Sequence, residues 1–399
     1  MNKIELLAPA GDLNRLKVAF AYGADAVFFG GKKYSLRSRA SNFSIEDIKE
    51  ACKIAKEYNG KTYVTCNIFA LNEDLLDLKD LQDYLKELEN AGVDAIITSD
   101  FAIIDTCKKV CKKMGIHIST QLSSYNSKSL KFFENAGASR VVLARETTLE
   151  EMSQIAQNSN IEIEAFIHGA MCMSMSGKCT LSNHMTNRDA NRGGCAQSCR
   201  WFYSLTNENG EAMSDKLFTL SSKDLRIIKQ IKTLIDIGVS SLKIEGRMKS
   251  EYYIATIIST YRKIIDDIYA KKLKGERKYI KELNKAASRP ASIGFYNGVV
   301  TPKEQIYDKS AEIPLQNFVA RVVSYDKENK IVTIEQRNNF TIKKPIEIFG
   351  PNGKLIKYKI KALYNKNEEL VEVANHAQEI LHFYIEHELT NMDMIRQKK

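Results

Sequence analysis

A chain of 399 residues is too long for one small core, so its length sets the expectation of a barrel-sized domain with an addition. With 44% hydrophobic and 27% charged residues it reads as globular, and neither a secretory leader pattern nor a run of apolar residues long enough to span a bilayer is found. A formal charge of +10 favours polyanionic partners, and eight cysteines in a chain without a leader argue against a disulfide framework and for the reducing cytoplasm, with no membrane partner.

In chain order, short apolar runs alternate with longer segments of helical period. The runs are 4–8, 26–29, 62–67, 95–98, 116–120, 140–144, 161–167 and 241–245, eight in all. Asp12 reads as a helix cap, Ser44 with Asp47 and Thr148 with Glu151 read as capping boxes, and Gly92, Gly115, Gly137 and Gly238 as helix terminators. Eight β/α units of this regularity predict a TIM (β/α)8 barrel. The open doubly wound sheet is the alternative, but Ala8-Pro9-Ala10-Gly11 is no phosphate-cradling first turn.

The seventh run ends at Ile167 and the next helix is expected only after Ser222, leaving a long Cys-rich insertion at 168–221. Residues 249–272 read as the closing helix. Ten basic and four acidic residues fall between Arg262 and Arg289, so 276–316 is expected to be a basic linker after a barrel at 1–275. From Asn317 the period changes to alternation over 318–323, 331–334, 346–349, 358–360 and 380–384, which predicts a small C-terminal antiparallel β-barrel at 317–399.

The insertion carries Cys172, Cys179, Cys195 and Cys199, separated by six, fifteen and three residues. Thiolates gathered in one loop of a reduced protein call for a soft metal, and zinc and an iron–sulfur cluster both remain open on spacing. Side chains at the strand ends supply further candidates. Arg37, Arg39, Asn67, Gln121, Arg145, Glu164 and Arg247 are candidates for substrate binding, and His168 and Glu245 for proton transfer. Several arginines at one mouth suit an anion, particularly a carboxylate.

Glu164-Ala-Phe-Ile-His168-Gly-Ala-Met-Cys172 followed by Gly177-Lys-Cys179-Thr-Leu-Ser182 resembles the signature of the collagenase-like peptidase family U32. Arg192-Gly-Gly-Cys195-Ala-Gln-Ser-Cys199-Arg-Trp201 and Ser241-Leu-Lys-Ile-Glu245-Gly-Arg247-Met-Lys-Ser250 also resemble family blocks. The segment from Ser288 to Phe295 departs from the family, which more often has an aromatic residue near Pro290. The chain resembles most the branch associated with prephenate-dependent 5-hydroxylation of the tRNA wobble uridine. That resemblance implies a 4Fe-4S cluster on the four cysteines, prephenate as co-substrate, tRNA as partner, and a homo-oligomer or a heteromer with a paralogous member. Two alternatives stand beside it. One is a peptidase with Cys172 as nucleophile and His168 as base, although neither HExxH nor GxSxG is present. The other is an RNA-binding subunit of a heteromeric hydroxylase.

Overall fold

A strand such as Ala26–Gly30, with all five residues buried, shows no alternation because both of its faces are covered, as in a parallel sheet wrapped by helices. The computed structural model describes residues 3–36, 42–308 and 316–399, so Arg37 and Arg39 lie outside the described residues. Eight parallel strands follow one another: β1 Glu5–Pro9, β2 Ala26–Gly30, β3 Lys61–Cys66, β4 Ala95–Thr98, β5 Gly115–Ile118, β6 Arg140–Val142, β7 Glu162–Gly169 and β8 Ser241–Ile244. Each pairs with its neighbour, and β8 pairs with both β7 and β1, closing the barrel. The TIM barrel expected from the sequence is the fold.

The caps form as expected: Ser44 with Asp47 and Thr148 with Glu151 make capping boxes, and Asp12 accepts the Arg15 amide at 2.8 Å. Gly115 is the exception. It begins β5, while the preceding helix Phe101–Val110 ends on Cys111 in extended backbone. A Cβ at Gly115 would come within 3.3 Å of the Ala95 Cβ on β4.

Aliphatic side chains do not fill the lower barrel alone. Arg140, 3% exposed, pairs with Glu5 at 2.6 Å and Glu164 at 3.2 Å, and Lys243 pairs with Glu164 at 2.6 Å. Tyr63 and Ser241 donate hydroxyls to the Glu5 carboxylate at 2.6 and 2.7 Å. Arg140 also reaches Glu162 at 2.8 Å, so each ion of this cluster faces a partner of opposite sign. His117 beside them is held well below its ordinary pKa, by burial first and then by the charges of Arg140 and Lys243.

The chain divides into two compact units, one of Met1–Phe20, Ala24–Lys249 and Arg289–Glu312, the other of Ala21–Gly23, Ser250–Ser288 and Ile313–Lys399. Helix Glu251–Tyr269, capped by Ser250, counts with the second unit. There a seven-stranded antiparallel sheet and the ribbon of Phe340–Thr341 with Val373–Ala374 enclose a core that includes Val319, Val332, Ile348 and Phe383. Two details differ from expectation. The strand placed at 358–360 is Leu355–Tyr358, and an unforeseen strand, Met394–Lys398, runs between Ile346–Phe349 and Gln316–Asp326. Arg396 on it is fully buried and bonded to Glu282 at 2.6 Å and Glu347 at 3.0 Å, so a core position reads as polar.

Candidate functional site

The last inward-facing residues of the strands, Phe28, Thr65, Ile97, Val142, Phe166 and Lys243, floor a cavity of about 640 Å³ at the C-terminal end of the barrel. This is the end at which barrel enzymes carry their chemistry. The Lys243 ammonium links the floor to the buried ions below, lying 4.5 Å from the centre of the Phe28 ring and 5.6 Å from that of Phe166 while paired with Glu164.

Above the floor the strand ends bring together Asn67, Gln121, Arg145, Glu245 and Arg247, all lining the cavity. Asn67 donates its amide N–H to the Gln121 side-chain oxygen at 2.8 Å and accepts the Leu36 amide at 3.3 Å, which fixes both carboxamides. The Arg145 guanidinium stacks 4.2 Å from the centre of Phe166, with Nη2 3.6 Å from the Glu245 carboxylate. Arg247, 4% exposed, donates to Asn42 at 2.9 Å and to the hydroxyls of Thr65 and Ser35 at 3.3 and 3.4 Å.

Glu164 and His168 are placed elsewhere. Glu164 lies beneath the floor in the ion network, and His168 is buried on β7, outside the cavity lining. Burial, reinforced by the charges of Arg226 and Lys249, takes the His168 pKa down to about 3, so its imidazole is neutral at physiological pH.

Four cationic residues that sequence reasoning passed over also line the cavity: Lys243, Arg200, Lys249 and Arg289. Strand parity alone marks Lys243, two residues before Glu245 and facing inward. Nothing local marks Arg200 or Arg289, because long-range folding brings them in. Burial pulls the Lys249 ammonium below its ordinary pKa; Asp224 opposes this, and Arg289 and Arg200 add to it.

The insertion is built from turns and polar staples. Ser176 donates its amide and hydroxyl to Glu146 at 2.6 and 2.8 Å. Asn191 holds both sides of the Cys179 peptide, accepting its N–H at 3.3 Å and donating to its carbonyl at 3.0 Å. Arg192 reaches Asp74 through two bonds, of 2.5 and 3.0 Å, and the Ser182 hydroxyl accepts the Ala196 amide at 3.0 Å. The returning strand Asp224–Arg226 pairs antiparallel with the end of β7. The effect is that Cys172, Cys179, Cys195 and Cys199 all line the same cavity.

Burial pushes the Cys199 thiol up, Arg200 opposes this, and Cys172, Cys195 and Cys179 are all close enough to push further. Cys179 Sγ accepts the Leu181 amide at 3.4 Å. Four cysteine sulfurs lining one cavity are a donor set suited to a soft metal centre. Among the described residues no three His, Cys, Asp or Glu side chains are grouped so as to hold a single metal ion.

Fold and site together define a TIM-barrel protein with a four-cysteine insertion over a cationic cavity. The Peptidase family U32 model matches residues 11–305, and the model of its C-terminal domain matches residues 315–396. The chain belongs to peptidase family U32. It is 44% identical over 405 residues to tRNA hydroxylation protein P1 of Bacillus subtilis, covering 100% of this chain and 95% of that one. It is 39% identical over 267 residues to a 23S rRNA 5-hydroxycytidine synthase of Escherichia coli, covering 67% of this chain and 40% of the other. It is also 34% identical over 280 residues to a collagenase of Porphyromonas gingivalis, covering 67% and 66%.

Proposed function

We propose that the chain hydroxylates RNA, and specifically that it acts on tRNA to form 5-hydroxyuridine at the wobble position, with prephenate as co-substrate and a 4Fe-4S cluster on Cys172, Cys179, Cys195 and Cys199. The observation that carries this reading is the opening of all four cysteines onto one cavity that is also lined by the Asn67 and Gln121 carboxamides and by arginines. The 44% identical relative bears the name of a tRNA hydroxylation protein, and the match spans both chains nearly end to end. Between zinc and a cluster, the hydroxylation for which the relatives are named favours the cluster, since zinc has no redox chemistry. Such a cluster supplies one-electron chemistry at the cavity wall.

The chain's own residues supply the rest. Asn67 and Gln121, locked by their mutual hydrogen bond, present donors and acceptors to the edge of a pyrimidine. Arg145 and Arg247 offer forked donors to the carboxylates of the co-substrate. Glu245, facing the cavity beside Arg145, holds or releases a proton at its carboxylate. His168 is a poor candidate for that task, since a group with a pKa of about 3 is a weak base at neutral pH. The same fact weakens a peptidase with Cys172 activated by His168. Deleting the gene in its host and quantifying nucleosides from tRNA tests the reading: 5-hydroxyuridine is lost, and an undiminished level without a compensating paralogue overturns it.

A further inference from the structure

Charge is unevenly distributed around the cavity. Arg200, Lys249 and Arg289 line it together, half-buried, and all three feel the Asp224 carboxylate. Asp224 lies 3.5 Å from Arg289, and its charge acts on both Lys249 and Arg200. Three cations from separate stretches of the chain line one cavity, so an anion entering it meets all of them in surroundings where charge–charge interaction is stronger than in bulk water.

The floor has the opposite character. Phe28, Ile97 and Phe166 are flat or apolar, and the hydrogen-bonding edge is the Asn67–Gln121 pair. A planar base suits that floor but brings no negative charge for the three cations. A nucleotide brings both, a base with faces to stack and an edge to read, and a phosphodiester with anionic oxygens. We infer that Arg200, Lys249 and Arg289 form a phosphodiester site, gripping the backbone of an RNA strand at the nucleotide whose base enters the cavity. The inference rests on the RNA-acting reading above. The two arginines give paired N–H donors matched to phosphate oxygens, and the lysine adds a point charge. Drawing a base out of its stack costs a few kcal/mol, which bonds to the adjoining phosphate help to offset.

The test is equilibrium binding of unmodified tRNA to the anaerobically purified full-length protein across a range of salt concentrations. The K249M/R289Q variant binds about tenfold more weakly, and its plot of log affinity against log salt is shallower by about 0.7, the value for one phosphate of a single strand no longer neutralised. R289K keeps the charge and retains the wild-type slope. Iron content and the thermal shift produced by prephenate stay as in the wild type. Unchanged tRNA affinity and slope in K249M/R289Q overturn the inference. If the prephenate shift disappears in that case, the cations serve a small carboxylate, and if iron is lost, they serve the cysteine centre. A wild-type chain that binds no tRNA overturns this site and the RNA-acting reading together, whereas binding with an unaltered slope overturns the site alone.

Discussion

Lys243 belongs to the cavity and to the buried ions beneath it. Its ammonium faces the floor, yet it is also a counter-ion of Glu164, whose exposure is 0%. Replacing it with methionine removes that counter-charge, and K243M is expected to lose about 3–5 kcal/mol of stability in denaturant unfolding. Adding E164Q recovers part of the loss, and a K243M midpoint equal to wild type contradicts the pairing. Glu245 lines the cavity beside Arg145, so its substitution should be read in rate. E245Q lowers kcat by about a hundredfold or more with little change in KM or in unfolding midpoint. A purely structural role predicts a lowered midpoint and a proportionate loss of active protein instead.

At the level of elements, the connection from β7 into the insertion leaves no room for a side chain. Gly169 adopts φ 114°, and a Cβ there would approach the Glu245 carbonyl oxygen to 2.6 Å and its Cβ to 2.8 Å. G169A therefore displaces Glu245 and the start of the insertion together, and activity falls more than tenfold in a folded protein. Undiminished turnover in G169A means that Glu245 is not where the chemistry happens.

The barrel strands were legible because parallel strands buried on both faces leave unbroken apolar runs between capped helices. Asn67, Gln121, Arg145, Glu245 and Arg247 were legible as strand-end residues once the barrel was inferred. Met394–Lys398 was not, since its central residue is an arginine whose partners, Glu282 and Glu347, lie far away in sequence. His168 and Glu164 could not be sorted from the cavity residues by position alone. Inward direction does not separate a residue on the floor from one below or behind it. Spacing announced the cysteine insertion, but not the staples from Asn191, Glu146 and Ser182 that turn its four thiols toward one space.

Across the whole molecule, each unit carries its own buried ion cluster. In the second, burial acts to raise the Glu347 pKa, but Lys285 and Arg396 outweigh it and hold the carboxyl at about 2 against an ordinary 4.5. A carboxylate with a depressed folded-state pKa stabilises the fold above pH 4.5, and that contribution is lost as pH falls from 4.5 toward 2. E347Q should flatten the acid side of a stability–pH curve of the full chain, and equal acid slopes for both proteins would contradict the assignment. The first unit holds the feature on which the functional account turns, the four cysteines lining one cavity that we propose hold a metal centre. Iron and acid-labile sulfide analysis of anaerobically purified protein, with its absorption spectrum, tests this most directly. The account predicts about four iron and four sulfide per chain, with a broad visible band abolished by serine at Cys172 or Cys179. Stoichiometric zinc without sulfide, or a metal-free protein that hydroxylates tRNA at the wild-type rate, would contradict it.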